Sequence, residues 1–264
     1  MITGHTKLYG IVANPIHHIK TPQEVNRLFA EIDHDGVLVP FHVLPENLAG
    51  FVDSLRGMEN LGGMIVTVPH KVEILALCDR IEGDAAEIGA VNAIRRESDG
   101  SLVGAMLDGK GFVGGLKAAG IDVAGMDICQ LGAGGAGAAI AFALAEAGAG
   151  RLNIVNRSQD KARLLAERVA AKYPCTEVTT GPADSASRDI VVNTTSLGMK
   201  DGDPLPTEDT AFRPGQVVAE VIMQPEETPI LALAKEKGAR THPGRPMLRE
   251  QVRLMARHLG VPGA

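Results

Sequence analysis

Short apolar runs rich in β-branched residues alternate along the chain with stretches in which apolar positions recur at three- and four-residue steps. That alternation is the signature of βαβ units around parallel sheets, so the predicted fold class is α/β. Residues 8–12 read as a first strand. Thr21-Pro22-Gln23-Glu24 then opens a helix to Ile32, with threonine as N-cap, proline at the first helical position and glutamate three after the cap. Residues 37–44 and 63–67 read as further strands. Two short strands, 91–96 and 101–106, joined by the turn-forming Ser98-Asp99-Gly100, close a first domain spanning 1–107. After Asp108 come a glycine-rich helical stretch (109–120), strand 127–131, helix 135–147, strand 151–156, helix 158–172, strands 189–193 and 217–222, and helix 228–237. These make up a second domain, 108–241. The last helix, 247–259, is amphipathic, with Leu248, Val252, Met255 and Leu259 on one stripe.

Charge narrows the function. With 26 Lys+Arg against 32 Asp+Glu the chain carries a formal net of −6, the wrong sign for a protein whose main partner is the nucleic-acid backbone. Six Phe, two Tyr and no Trp leave little for a base-stacking platform. Cys78, Cys129 and Cys175 are odd in number and widely spaced, which indicates neither a disulfide framework nor a thiolate metal site and predicts reduced thiols in the cytoplasm. No run approaches the ~20 apolar residues of a membrane span, so no membrane partner is expected. Neither a heptad seam nor an exposed apolar strand is identifiable, which leaves monomer and homodimer both open.

The chemistry begins at Gly132-Ala133-Gly134-Gly135-Ala136-Gly137, which follows a predicted strand and opens an alanine-rich helix. In that setting the G-x-G-x-x-G pattern lets a turn tighten and the backbone approach a pyrophosphate at the positive end of the helix. About 20 residues further on, where an NAD enzyme carries Asp or Glu for the ribose hydroxyls, this chain has Asn156-Arg157-Ser158, with Lys161 one turn later. A carboxylate would repel a 2′-phosphate, whereas arginine grips one with a planar fork, so NADP is the predicted cofactor. In the first half, Thr67-Val68-Pro69-His70-Lys71 leaves the end of a predicted strand, where ligands of parallel sheets sit. A lysine in a partly dry cleft there can pass a proton to or from a substrate hydroxyl. Taken alone, a lysine such as Lys71 is more often just a surface lysine at a helix start.

Nine motifs occur in order. They are Tyr9-Gly-Ile-Val-Ala-Asn14-Pro15-Ile16, Val66-Thr67-Val-Pro69-His70-Lys71, Gly89-Ala-Val91-Asn92, Asp108-Gly109-x-Gly111-Phe112, the glycine loop, Asn156-Arg157-Ser158, Asn193-Thr-Thr195-Ser196-Leu-Gly198-Met199, Thr228-Pro229, and Gly244-x-x-Met247-Leu248-x-x-Gln251. On these the chain resembles the shikimate dehydrogenase family along nearly its whole length. The resemblance implies an N-terminal substrate domain, a Rossmann NADP-binding domain after it, and a C-terminal segment, 242–264, returning to the first. It implies a place in aromatic amino acid biosynthesis and a small cyclic hydroxy acid as substrate. Lys71 matches the family's catalytic lysine, and Asp108 matches the carboxylate that binds a substrate hydroxyl and holds that lysine. Thr67, Asn92 and Gln251 match other substrate-contacting positions, and Ser196 and Gly244 lie in loops that line the cofactor.

The sequence also departs from the family. Where relatives hold the substrate carboxylate with Ser-x-Ser, this chain has His17 and Ile19; His17, if protonated, or Lys20 can replace the lost donors. Ile65 and Met106-Leu107 stand where asparagine and asparagine-threonine are usual, and Met223 stands for a tyrosine. A site that exchanges hydrogen-bonding groups for apolar ones changes what it discriminates. The leading expectation is therefore an NADP-dependent alcohol dehydrogenase on a shikimate-like ring with altered substrate preference. Quinate and an aminated analogue stay open as substrates, as does a catalytically silent NADPH sensor, against which the retention of Lys71 and Asp108 speaks.

Overall fold

A computed structural model describes residues 1–17 and 19–264. They form two compact units, Met1–Leu107 with Gln251–Ala264, and Asp108–Glu250. The second division falls inside the last helix, after Glu250, rather than at residue 242.

The first unit runs β1 (Lys7–Ala13), α1 (Thr21–Glu31), β2 (Gly36–His42), α2 (Leu48–Arg56), β3 (Leu61–Val66), β4 (Arg80–Glu82), α3 (Ala85–Ile88), β5 (Ala93–Arg96) and β6 (Leu102–Ala105). Its sheet has the order β2-β1-β3-β5-β6-β4, with β2, β1 and β3 mutually parallel and the hairpin β5–β6 antiparallel. Ala13 pairs with His42, and Val12 with Val66. The carboxyl ends of three strands thus share one edge. Tyr9, Ile11, Val25, Phe29 and Leu38 fill the core between this sheet and α1. One detail differs from the sequence reading: Thr21 is the first helical residue and Lys20 occupies the N-cap without any side-chain cap bond. Lys20 has helical-region dihedrals there, not the extended ones a capping hydroxyl needs.

The second unit runs α4 (Asp108–Ala118), β7 (Asp127–Leu131), α5 (Gly135–Glu146), β8 (Arg151–Val155), α6 (Gln159–Lys172), β9 (Glu177–Thr180), β10 (Ile190–Asn193), β11 (Val217–Glu220), α7 (Pro229–Glu236) and β12 (Arg240–His242). All six strands are parallel in the order β12-β11-β10-β7-β8-β9. This is the doubly wound dinucleotide-binding order, whose switch point lies between β7 and β10. Strands sandwiched by helices read as continuous apolar runs, and all four residues of β10 are buried. Helix α5 is apolar on every side and built of small residues. A side chain at Gly109 of α4 would collide with the Ala139 carbonyl of α5, so glycine is what permits these two helices their close approach.

Helix α8 (Arg245–His258) carries the predicted stripe: Val252 and Met255 are buried on it, as is Leu259 just beyond, and Leu248 is half-buried. Within the first unit, the Arg95 guanidinium donates to the His258 carbonyl (3.1 Å) and anchors the helix end beside β5.

Candidate active site

In the first unit, the loops leaving β1 and β3 are zipped together. The Asn14 N–H donates to the Val68 carbonyl and the Thr67 N–H to the Val12 carbonyl, both at 3.1 Å. The turn after β3 closes when the His70 N–H donates to the Thr67 carbonyl (3.0 Å). His70 itself is buried, and its Nε2 donates to the Val43 carbonyl (2.9 Å) beyond β2. Half-buried Lys71 follows, its carbonyl accepting from the Val91 N–H at 2.8 Å. Next to it the Val66 N–H donates to the Asn92 carbonyl (2.8 Å), while the buried Asn92 Oδ1 accepts from the Leu107 N–H (2.9 Å). Thr67, Lys71 and Asn92 therefore share one rigid frame at the carboxyl edge of β3.

The same edge carries a residue that the sequence reading missed. His42 ends β2, its Nε2 donates to Asn14 Oδ1 (2.9 Å), and its ring meets that of His17 edge to face at 5.9 Å between centroids. Parallel pairing of β1 and β2 brings His42 there, and the local signal was a polar residue closing an apolar strand. Both imidazoles are exposed, as is Lys20. Ile65 and Met106 are buried apolar side chains, and Ile19 and Leu107 are half-buried. Gln251 lies on α8 in the first unit. Asp108 is the buried first residue of α4 and opens the second unit.

In the second unit, β7 is followed directly by Gly132, whose φ of 111° falls in the region that glycine alone enters freely. A Cβ there would lie 2.6 Å from Thr194 Oγ1, and one on Gly137 would lie 2.6 Å from the Gly132 carbonyl oxygen. Gly134 and Gly135 face the other way: both are exposed, with nothing within 4 Å of a Cβ. Gly134 is the N-cap of α5 and supplies no side chain, so the first N–H groups of the helix, from Gly135 and Ala136 onward, have no side-chain cap. Bare N–H groups at a positive helix end beside an open glycine surface suit a pyrophosphate.

The Ala133 N–H donates to Asn156 Oδ1 (3.2 Å), and Asn156 Nδ2 donates to the Ser158 carbonyl (2.9 Å). Asn156 thus ties the glycine turn to the start of α6. Ser158 caps that helix by accepting from the Lys161 N–H (3.5 Å). Arg157 and Lys161 are exposed, and among the described residues no carboxylate pairs with either. The donor set therefore fits an NADP-type dinucleotide.

Around β10 and β11 the loops are braced by buried polar groups. Asn193 Oδ1 accepts from the Thr195 N–H (3.0 Å) and hydroxyl (2.7 Å), shaping the turn that presents Ser196 to solvent. Asn193 Nδ2 donates to Glu220 Oε2 (3.4 Å), and the Thr228 hydroxyl lies 2.9 Å from both Glu220 oxygens instead of capping α7. Glu220 is fully buried, and desolvation pushes its carboxyl up to about 7 against the bonds from Thr228 and Asn193. Gly244 is buried, its N–H donating to the Ile222 carbonyl (3.0 Å), and a Cβ there would strike the Val221 carbonyl. Among the described residues no group of three or more His, Cys, Asp or Glu could hold a metal ion, and no helix is long and apolar enough to cross a membrane.

Comparison with known proteins places these features. Residues 11–94 match the family model of the shikimate dehydrogenase substrate binding domain, and residues 116–199 that of shikimate / quinate 5-dehydrogenase. The shikimate dehydrogenase (NADP(+)) of Rubrobacter xylanophilus is 40% identical over 94% of this chain and 88% of its own. The shikimate 5-dehydrogenase of Listeria monocytogenes, solved in complex with shikimate and NAD, superposes with a TM-score of 0.90 at 32% identity, covering 98% of this chain and 92% of that one. A 5-ketofructose reductase of Gluconobacter sp. strain CHM43, solved without ligand, superposes with a TM-score of 0.87 at 33% identity, covering 95% and 91%.

Proposed function

The chain belongs to the shikimate dehydrogenase family, and on that premise we propose that it is an NADP-dependent dehydrogenase interconverting a ring alcohol and its ketone on a shikimate-like hydroxy acid. The observation that carries this reading is the frame at the edge of β3, where the backbone bonds from Val66 and Val91 hold the lysine motif and Asn92 side by side. Bound NADP supplies the hydride acceptor. Lys71, in its neutral form, takes the hydroxyl proton as the carbinol carbon loses hydride and the C–O bond becomes double, and returns that proton in the reverse direction. Asp108 accepts a hydrogen bond from a substrate hydroxyl. Thr67, Asn92 and Gln251 bind the ring hydroxyls. The substrate is a small molecule, and the enzyme works in the cytoplasm as a monomer or homodimer.

On the cofactor side, Gly132, Gly134, Gly135 and Ala136 receive the pyrophosphate. Asn156, Arg157, Ser158 and Lys161 receive the adenosine ribose and its 2′-phosphate, and Ser196 and Gly244 lie in loops that line the cofactor. Because Arg157 has no carboxylate partner among the described residues, its guanidinium is available to a phosphate. Arg157→Ser is expected to raise the Kd for NADPH about tenfold while leaving that for NADH nearly unchanged, measured by nicotinamide fluorescence titration. Equal losses for both cofactors would remove Arg157 from 2′-phosphate recognition.

A second reading, altered substrate preference within the same chemistry, is favoured by His17 and His42. His17 stands at one of the two positions where relatives carry the hydroxyl pair, with the ring of His42 5.9 Å from its own, and Ile65 and Met106 are buried apolar side chains where asparagine is usual. The resemblance to a 5-ketofructose reductase is in keeping with that change. His42→Ala is expected to raise KM for the best substrate about tenfold with kcat little altered, since the ring binds and does not react. The deciding experiment is the change in nicotinamide absorbance with NADP or NAD and, in turn, shikimate, quinate, an aminated analogue and 5-ketofructose. Turnover best with shikimate and NADP supports the first reading, and preference for another of the four supports the second. NADPH binding with no turnover of any of them would make the protein a sensor.

A further inference from the structure

We propose that Gln130 is a positioning residue that straps the dinucleotide turn from beneath and sets its affinity for the cofactor. Gln130 is the fourth residue of β7, paired in register with Ile154 of β8 and Val192 of β10, and it is completely buried. An amide placed in such an interior is costly unless both of its ends find partners. Here only one does. Nε2 donates to the Gly132 carbonyl and to the Gly137 carbonyl, each at 2.9 Å, whereas Oε1 has no hydrogen-bond partner. Turning the amide over would aim its oxygen at those two carbonyl oxygens, so the orientation is determined by the acceptors themselves.

The two acceptors bracket the glycine turn. Gly132 ends the strand side and Gly137 lies in the first turn of α5, with the exposed Gly134 and Gly135 between them. The Thr194 hydroxyl adds a further bond to the Gly132 carbonyl (3.2 Å). Both carbonyl oxygens are thereby held toward the sheet, away from the surface where the N–H groups of Gly135 and Ala136 lack a side-chain cap. An anion arriving there meets donors and no lone pairs. The strap accounts for a buried glutamine with one unsatisfied end, which packing alone would replace by an apolar residue of the same length.

The inference rests on the NADP reading, and Gln130→Met tests it because methionine keeps length and volume while removing both donors and the orphaned acceptor. The expected result is a Kd about tenfold higher for NADPH and for NADH alike, with a Tm no lower than that of the wild type. The shared loss separates it from Arg157→Ser, which acts on NADPH alone. An unchanged Kd with a lowered Tm would overturn it, since Gln130 would then serve the fold and not the turn. Gln130→Leu, read in the same way, substitutes for the methionine variant should that one fail to fold, and failure of both to fold would also overturn the inference. Wild-type protein that binds neither cofactor would overturn the NADP reading and the inference with it, whereas equal binding by wild type and variant overturns the inference alone.

Discussion

Lys71→Ala is expected to lower kcat by a factor of about 10²–10⁴ and to leave the Kd for NADPH where it was. The reason lies in how the residue is held. The Lys71 main chain is fixed by the bond from the Val91 N–H to its carbonyl, and the turn before it by the bond from the His70 N–H to the Thr67 carbonyl. Neither bond uses the side chain, so truncation removes the proton carrier and leaves its frame standing. Oxidation of the ring alcohol then has to release its proton to water, which is neither held nor oriented. The cofactor-binding turn belongs to the other compact unit, where Gly132, Asn156 and Thr194 shape it. Steady-state turnover with the preferred ring substrate and fluorescence titration with NADPH measure the two quantities separately. Turnover equal to that of the wild type would remove Lys71 from the proton path, and a parallel loss of NADPH affinity would mean that the substitution had damaged more than the relay.

Most of this site is legible in the sequence because its parts are local. The glycine turn needs Gly132 at positive φ and an uncapped helix start, and both leave a mark within a few residues. Arg157 and Lys161 sit at a fixed offset along a βαβ unit, so their place beside the turn follows from the topology. What escapes is whatever long-range pairing assembles. His42 joins Asn14 and His17 only because β2 lies alongside β1. Gln130 escapes for another reason: its two carbonyl partners are close in sequence, but alone it reads as one polar interruption in an apolar strand. The edge strands β4 and β12 are three residues each, too short to show a period, and β9 is a largely exposed Glu177-Val-Thr-Thr edge. Thr21 shows the converse error. A good capping pattern was overridden by Lys20, whose helical dihedrals moved the cap one residue upstream.

Glu220 is the other residue whose role depends on partners distant in sequence, and it predicts a pH dependence of stability. Its carboxyl is buried, with Asn193 and the Thr228 hydroxyl as its donors, and its pKa rises from 4.5 to about 7. A carboxyl that holds its proton more tightly when folded stabilises the native state below the unfolded value of 4.5, and that contribution is lost as pH rises through about 7. The loss amounts to about 3 kcal/mol at one pKa unit per 1.36 kcal/mol. Glu220→Gln keeps the shape and can still hydrogen-bond Thr228, but it has no proton to release. Urea midpoints taken at pH 5 and pH 8 should therefore fall more steeply for the wild type than for the variant. Carboxylates such as Asp79 and Glu97, held below their ordinary values by Arg56 and Arg95, drive stability in the opposite direction. They do so equally in both proteins and cancel in the comparison. Parallel pH profiles for the two would mean that Glu220 is ionised in the folded protein throughout this range. The pair Asn193 and Thr228 would then clamp a charge, and Glu220→Gln would weaken the turn that presents Ser196 at every pH.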